Sequence, residues 1–466
     1  MNVRNLFNER LAVVNIGIEL FADALRKQGV KTIQVEWRPP AGGDKNLARI
    51  LSNVQSLSEE ANQKVLNRMI SADPVWTGIR SAIKVVPGMK ENTILHSGPP
   101  IEWERMCMIQ GKAIIGGILH EGLADTEEEA ARLVQDGKID LKPANDLKVS
   151  GAGVGIVTAS MMVNIVKNKI TGTEGYCCPF EGRTGLGTWG VYNKEIEDKL
   201  KLVENFVGPA IDNVLREYGG IELKSKMAQG IQMNDELHTR QVAAGLILFN
   251  EIIPLLVKAD FDKELLIKCV DFLRTDRFFH SLEMAGAISI LNDIKNVEYS
   301  SIVTAMAGNG VDFGIKVSAL GEEWFTAPSP QIYGKYLSTK WRPEDANPWL
   351  GDSSVMETIG FGGFAAAASP TVIQLRGGSL EDAIQQSEEM RAICIGTNAN
   401  FPIPILGFIG PPVGIDIRKV LEIGVTPICH GGIISKEGGQ IGAGSARIPL
   451  ECFKKALHFY AKKYNL

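Results

Sequence analysis

The chain has 466 residues, 45% hydrophobic and 22% charged, an ordinary globular composition with length enough for two or three domains. A net charge of −5 without any long Lys/Arg run argues against nucleic acid as the main partner. No apolar stretch reaches the ~20 residues that span a bilayer, the start MNVRNLFNER is unlike a signal peptide, and seven scattered cysteines suit reduced thiols, so a cytoplasmic enzyme or enzyme subunit is expected.

In chain order, Leu11–Asn15 reads as a strand ending at Gly17, Ile18–Gln28 as an amphipathic helix closed by Gly29, and Val30–Trp37 as a second strand. That is a βαβ unit, which predicts a sheet that begins parallel. Residues 44–70 read as a polar helix. Thr93–His96 reads as a strand running into Ser97-Gly98-Pro99-Pro100, followed by a helix over Ile101–Gln110 and an acidic one over Asp125–Gly137. From Lys199 to Leu291 the pattern is almost wholly helical, with runs at 199–217, 235–258, 262–273 and 277–291. Short strands and glycine turns return after Tyr299, with helices at Ser379–Ile393 and Pro449–Lys463. The expected fold class is therefore α/β plus α+β. A domain whose sheet begins parallel is expected over 1–198, a mainly helical domain over 199–298 and an α+β domain over 299–466.

Glycine is the informative residue: 49 are present, clustered at 151–155, 182–190, 360–363, 407–414 and 431–444. Tight turns are the plainer reading of each cluster, yet glycine also lets backbone amides approach an anion. Familiar cofactor motifs are missing. The first turn, Asn15-Ile16-Gly17, has one glycine where a dinucleotide fingerprint needs three, and no phosphate-binding G-x-x-x-x-G-K-[ST] occurs. Cys177-Cys178 are adjacent, and neither H-E-x-x-H nor G-x-S-x-G appears. No cofactor and no metal is predicted.

Polar clusters beside turns remain. Arg38 ends the second strand before Gly42 and Gly43, where an arginine fork suits carboxylate or phosphate, or simply braces the turn. His96 precedes Glu102 and Arg105, whose spacing of three allows a mutual ion pair; His96 could polarise a carbonyl or sit satisfied in its turn. Glu236, His238 and Arg240 gather at the start of an apolar helix that Asn234 or Asp235 can cap. Asn309, between Gly308 and Gly310, suits a left-handed turn, and Gly442 and Gly444 lead to Arg447 and a helix N-terminus that suits an anion. Cys107 reads as an inert buried thiol. His96, His238 and Arg240 are the candidate catalytic groups; the others are candidate substrate contacts.

Several long segments carry a resemblance: VEWRPPAGGD, HSGPPIEWERMC with GKAIIGGILHEGLA, NDELHTRQVAAG, AGNGVDFGIKVSALGEEWFTAP, ETIGFGGFAAAASP, and FIGPPVGIDIRKVLEIGVTPICHGGI with GGQIGAGSARIPLECFKKAL. Together they resemble the AllG-like (YlbE/YahG) family. The resemblance implies a subunit of oxamate carbamoyltransferase in allantoin catabolism, beside FdrA-like and AllH-like subunits. It would interconvert oxalurate plus phosphate with oxamate plus carbamoyl phosphate. The resemblance also implies the Rossmann-like, helical and α+β division given above. The S-T-R-T and H-P-x-Q segments of familiar transcarbamylases do not occur, so a carbamoyl-transfer site here must be built differently. The family's Asn-Glu-Gly-x-Gly stretch appears as Cys177-Cys178-Pro179-Phe180-Glu181-Gly182-Arg183-Thr184-Gly185. Alternatives are a subunit related to acyl-CoA or carboxylate ligases, and a non-catalytic scaffold.

Overall fold

The computed structural model describes residues 11–35, 39–180, 182, 184–275 and 277–466. Near the N-terminus, β1 (Ala12–Ile16), α1 (Glu19–Lys27) and β2 (Lys31–Val35) form the expected βαβ unit, with β1 and β2 parallel and in register from Ala12↔Lys31 to Ile16↔Val35. The polar helix is α2 (Lys45–Ser71), capped by Asp44, whose carboxylate accepts the amides of Asn46 and Leu47.

The parallel sheet does not grow from this start. β3 (Pro74–Ser81), β7 (Met162–Asn168) and β8 (Glu174–Cys177) run antiparallel, flanked by β9 (Ile221–Glu222) and by β6 (Val149–Ser150), which is parallel to β8. The sheet order is β6-β8-β7-β3-β9, while β1–β2 stays two-stranded, so a Rossmann-like parallel sheet over 1–198 gives way to a mixed, mainly antiparallel one. The physical reason is that, among the described residues, no further crossover adds a strand to β1–β2. Another parallel pair, β4 (Thr93–His96) with β5 (Asp140–Pro143), is joined through α3 (Met108–His120) and α4 (Glu127–Gln135). Helix α3 begins later than the pattern over 101–110 suggests, because Trp103–Arg105 forms only a 3-10 turn between extended residues.

Helices dominate the next stretch: α5 (Lys194–Leu202), a π-helical turn at Val203–Val207, α6 (Gly208–Tyr218), α7 (Lys224–Gln232), α8 (Val242–Lys258), α9 (Lys263–Leu273) and α10 (Phe278–Asp293). Every residue of α10 from Phe278 to Leu291 is buried, which an all-round apolar helix requires. It lies across β7 and β8. Residues 235–241 are loop rather than the start of α8, because Gln241 is the N-cap and Asp235 reaches back to accept the amide of Ala244.

The remaining chain builds an antiparallel sheet β12-β11-β10-β14 from β10 (Val303–Asn309), β11 (Asp312–Val317), β12 (Phe325–Pro328) and β14 (Leu350–Gly351). A second, β13-β18-β17, uses β13 (Tyr333–Tyr336), β17 (Ile428–Ile434) and β18 (Gln440–Arg447). Helix α11 (Leu380–Ala392), the hairpin of β15 (Cys394–Thr397) and β16 (Pro412–Ile415), α12 (Ile417–Ile423) and α13 (Leu450–Tyr464) complete it. α13 packs with α2 and β11 in one core that includes Leu47, Val54, Phe313, Phe453 and Tyr460. Among the described residues, no helix is long and apolar enough to cross a membrane.

Candidate functional site

Where α10, the 235–241 loop and the β17–β18 hairpin meet, three buried imidazoles and three buried carboxylates pair off. The loop comes first. Its backbone takes left-handed conformations at Asn234 (φ 75°) and Leu237 (φ 60°), which turn it tightly around the Glu236 carboxylate. That carboxylate accepts the amides of His238 (3.0 Å), Thr239 (2.8 Å) and Arg240 (3.0 Å), together with Nδ1–H of His430 at 3.2 Å. Burial favours the neutral acid, but His430 and the convergent amides outweigh it and hold Glu236 ionised, well below the usual carboxylate range. A role as a helix cap is thus excluded for Glu236.

His430 itself is neutral. Burial first, then the nearby charge of Arg376, pushes its pKa down to about 4. Its Nε2 accepts from Nε2–H of Gln386 at 3.0 Å, which assigns the proton to Nδ1. His238 points its Nδ1 at both oxygens of Glu357, 2.8 and 2.9 Å away. Glu357 is fully buried, and its Oε1 also accepts the amides of Gly363 and His430 at 3.0 Å each. Gly362 must be glycine here: its φ is 56°, and a Cβ would lie 2.0 Å from Glu357 Oε1. On α10, His280 Nδ1 is 2.5 Å from Glu283 Oε1, and the rings of His238 and His280 stack with centroids 5.3 Å apart.

Both stacked rings line a small cavity of about 30 Å³, with Phe180, Thr239, Arg277, Trp189, Trp349, Ser353, Gly431 and Gly432 among its other walls. Gly153 lines it too, at φ 60°, where a Cβ would meet the carbonyl of Thr188 at 1.9 Å. Arg277 is held left-handed (φ 65°) at the head of α10. Thr239 and Arg277 also line an adjoining groove of about 400 Å³ between α8 and α10 that leads outward. Arg376, largely buried, donates to Thr239 Oγ1 at 3.0 Å; burial lowers its pKa to about 10, while Glu236 and Glu357 favour its charge. Among the described residues no group of three or more His, Cys, Asp or Glu is placed to hold a metal ion.

Of the residues singled out in the sequence, Glu236 and His238 lie at this centre and Arg240 beside it, its Nε 3.3 Å from Asp235 Oδ1. His96 lies elsewhere, fully buried, with Nδ1 at 3.0 Å from the Ser97 carbonyl; burial lowers its pKa and keeps it neutral. Its turn is tied to the cavity wall through Asp352, which neighbours Ser353. The Asp352 carboxylate accepts the amides of Gly98 (2.7 Å) and Gly151 (2.9 Å), and burial raises its pKa to about 7. Arg105 pairs with Asp312 at 2.8 Å and not with Glu102, because both 102 and 105 face solvent off the 3-10 turn. Asn309 is not left-handed; Gly310 is (φ 84°). Asn309 donates to the Pro99 carbonyl and accepts the amides of Val311 and Asp312.

Gly442 and Gly444 are strand residues of β18, packed against the backbones of Lys335 and Tyr333, and serve close strand pairing instead of a helix-end nest. Arg447 is half exposed, and its Nη2 donates to both carboxylate oxygens of Glu389 at 2.8 Å. Gly42 and Gly43 sit in an exposed 3-10 turn, and Arg38 lies outside the described residues. Cys107 is partly buried against the core, and burial pushes its thiol pKa up. Glu357, His280, Glu283, Arg277 and Arg376 escape sequence reasoning. The available signals were an acid beside the apolar glycine run Ile359–Ala368, and a His-x-x-Glu spacing inside an apolar helix.

The family described as oxamate carbamoyltransferase subunit AllG matches residues 139–353. The protein YahG of Escherichia coli (strain K12), described as uncharacterized, is 37% identical over 471 aligned residues, covering 99% of this chain and all of the relative. The oxamate carbamoyltransferase subunit AllG of the same organism is 37% identical over 413 residues, 87% of this chain and 98% of its own length. A crystal structure of a conserved protein of unknown function from Enterococcus faecalis V583 superposes with a TM-score of 0.85 at 36% identity, covering 88% of this chain and 99% of that one.

Proposed function

The chain belongs to the AllG family, and from that premise we propose that it is a carbamoyltransferase subunit whose reaction centre is the cavity lined by His238 and His280 together with the groove that adjoins it at Thr239 and Arg277. Oxalurate and phosphate would be interconverted there with oxamate and carbamoyl phosphate, in a cytoplasmic complex with FdrA-like and AllH-like subunits. The observation that carries this reading is the His238–Glu357 pair, an imidazole on the cavity wall whose Nδ1 is held by a fully buried carboxylate. Such a pair is a general base whose tautomer is set from behind.

The chemistry follows. A phosphate oxygen attacks the terminal carbonyl carbon of oxalurate, forming a C–O bond, and His238 Nε2 takes the phosphate proton. The C–N bond to the oxamate nitrogen then breaks, and His238 returns the proton to that nitrogen. Nothing else need enter or leave. Arg277 and Thr239 stand where the groove meets the cavity and suit the incoming anions, since a guanidinium fork matches both carboxylate and phosphate. Burial keeps water from the carbamoyl group, whose hydrolysis would waste it.

The test is turnover by the complex reconstituted with its FdrA-like and AllH-like subunits, assayed as carbamoyl phosphate formed from oxalurate and phosphate. His238→Ala should lower the rate by at least about 10²-fold while assembly persists. Unchanged turnover in an assembled His238→Ala complex would place the chemistry in another subunit.

A further inference from the structure

The two stacked imidazoles have unlike carboxylates behind them, and the difference decides which proton each ring presents. Glu357 receives three hydrogen bonds, two of them from backbone amides that only an acceptor can satisfy. These contacts are all satisfied by an anion, with the His238 proton on Nδ1 and Nε2 the ring's unprotonated nitrogen. Glu283 has the opposite setting. Among the described residues, its Oε1 is hydrogen-bonded only by His280 Nδ1, and its Oε2 is buried with no hydrogen-bond partner. An ionised carboxylate would leave that oxygen uncompensated, whereas a neutral acid needs just one acceptor for its proton, and His280 Nδ1 is that acceptor.

We propose that Glu283 is a protonated positioning residue that donates to Nδ1 of His280, so that His280 presents Nε2–H to the cavity opposite the unprotonated Nε2 of His238. The two rings, 5.3 Å apart and nearly parallel at 21°, then form a matched pair, a base for the attacking or departing group and a donor for the developing oxyanion. The charges that face them agree. Burial and the negative Glu236 and Asp235 raise the Glu283 pKa well above the carboxylate range. Burial and the positive Arg277 lower that of His280, against a smaller opposing pull from Glu236. Phe180, with its ring centroid 5.3 Å from that of His280, packs on the same ring and excludes water from it.

This inference rests on the cavity being the reaction centre, so its test includes a readout independent of turnover. Uniform 15N-histidine labelling with long-range 15N–1H spectra, assigned by His238→Gln and His280→Gln, reads each tautomer directly. His280 should show Nε2–H and His238 Nδ1–H at pH 7. An imidazolium at His280, or the Nδ1–H tautomer there, overturns the proposal even if the complex transfers carbamoyl groups.

In the assay, Glu283→Leu removes the donor and should lower kcat by about 10²-fold, the scale for loss of one oxyanion donor, with KM little changed. Glu283→Gln rescues, because its amide N–H replaces the carboxyl proton at His280 Nδ1 and keeps Nε2–H. Rescue to within about tenfold of the wild type is expected, with the acid limb of the pH profile unmoved. If Glu283→Gln is as impaired as Glu283→Leu while both fold, Glu283 acts as an anion and the assignment is wrong. If the wild-type complex transfers no carbamoyl group, the proposed function falls, and the tautomers still decide this inference.

Discussion

Replacing Glu357 by glutamine inverts one proton and little else. Glu357 Oε1 lies where three donors converge, from Gly363, His430 and His238, while Oε2 faces His238 alone at 2.9 Å. The glutamine oxygen takes the Oε1 position, because the alternative would aim its NH₂ at two backbone N–H groups. The amide NH₂ then occupies the Oε2 position and forces His238 Nδ1 to accept, which moves the ring proton to Nε2. The fold loses the charge assistance of these bonds, about 1–3 kcal/mol. Alanine instead would strand three buried donors, at about 1–3 kcal/mol apiece, and would confuse unfolding with chemistry. A mis-set tautomer behind a catalytic histidine costs about 10⁴-fold in kcat, or about 5.5 kcal/mol in the barrier. Initial rates of carbamoyl phosphate formation by the reconstituted complex, with a parallel thermal melt, give both quantities. A folded Glu357→Gln complex that keeps its rate within tenfold of the wild type would refute the base assignment for His238.

Three further outcomes are expected. Gly362→Ala places a methyl 2.0 Å from Glu357 Oε1 at φ 56°, so it should lower the melting temperature and the rate together; a wild-type melt would refute this. His120 is held by Glu197 at 2.7 Å and Glu204 at 2.8 Å. Burial lowers its pKa, but the two carboxylates win and raise it to about 9. A folded pKa above the unfolded ~6.5 contributes stability that is complete below pH 6.5 and is lost as pH rises through 9. Its size is about 3 kcal/mol, so melts from pH 6 to 10 should fall more steeply for the wild type than for His120→Gln. Arg447→Ala should leave turnover unchanged and stability within about 0.5 kcal/mol, since its partner Glu389 is a surface pair.

The sequence was most legible where information is local. The β1–α1–β2 unit and the amphipathic helices follow from periodicity and capping of small segments. Glu236 and His238 were found because unlike titratable groups rarely crowd four positions beside an apolar helix. Their roles were not, since a capping acid and an anion cradled by His238–Arg240 amides look alike until the loop's path is known. Glu357, His280 and Glu283 stayed hidden inside apolar segments, where a polar residue's meaning depends on what folds against it. Arg447, Gly442 and Gly444 misled for the converse reason: glycines before a helix also let strands approach closely.

The partners of the buried cluster are far apart in the chain, 119 residues between His238 and Glu357 and 194 between Glu236 and His430. Nothing in the first half can therefore assemble the centre by itself. During synthesis His238 emerges long before its carboxylate, and Glu236 waits for a histidine 36 residues from the C-terminus. A nascent chain halted before Ile428–Ile434 carries loop 235–241 with its acid held by amides alone. Activity should thus appear only after the slowest long-range pairing, and no fragment that stops before Ile428–Ile434 should show a graded share of it.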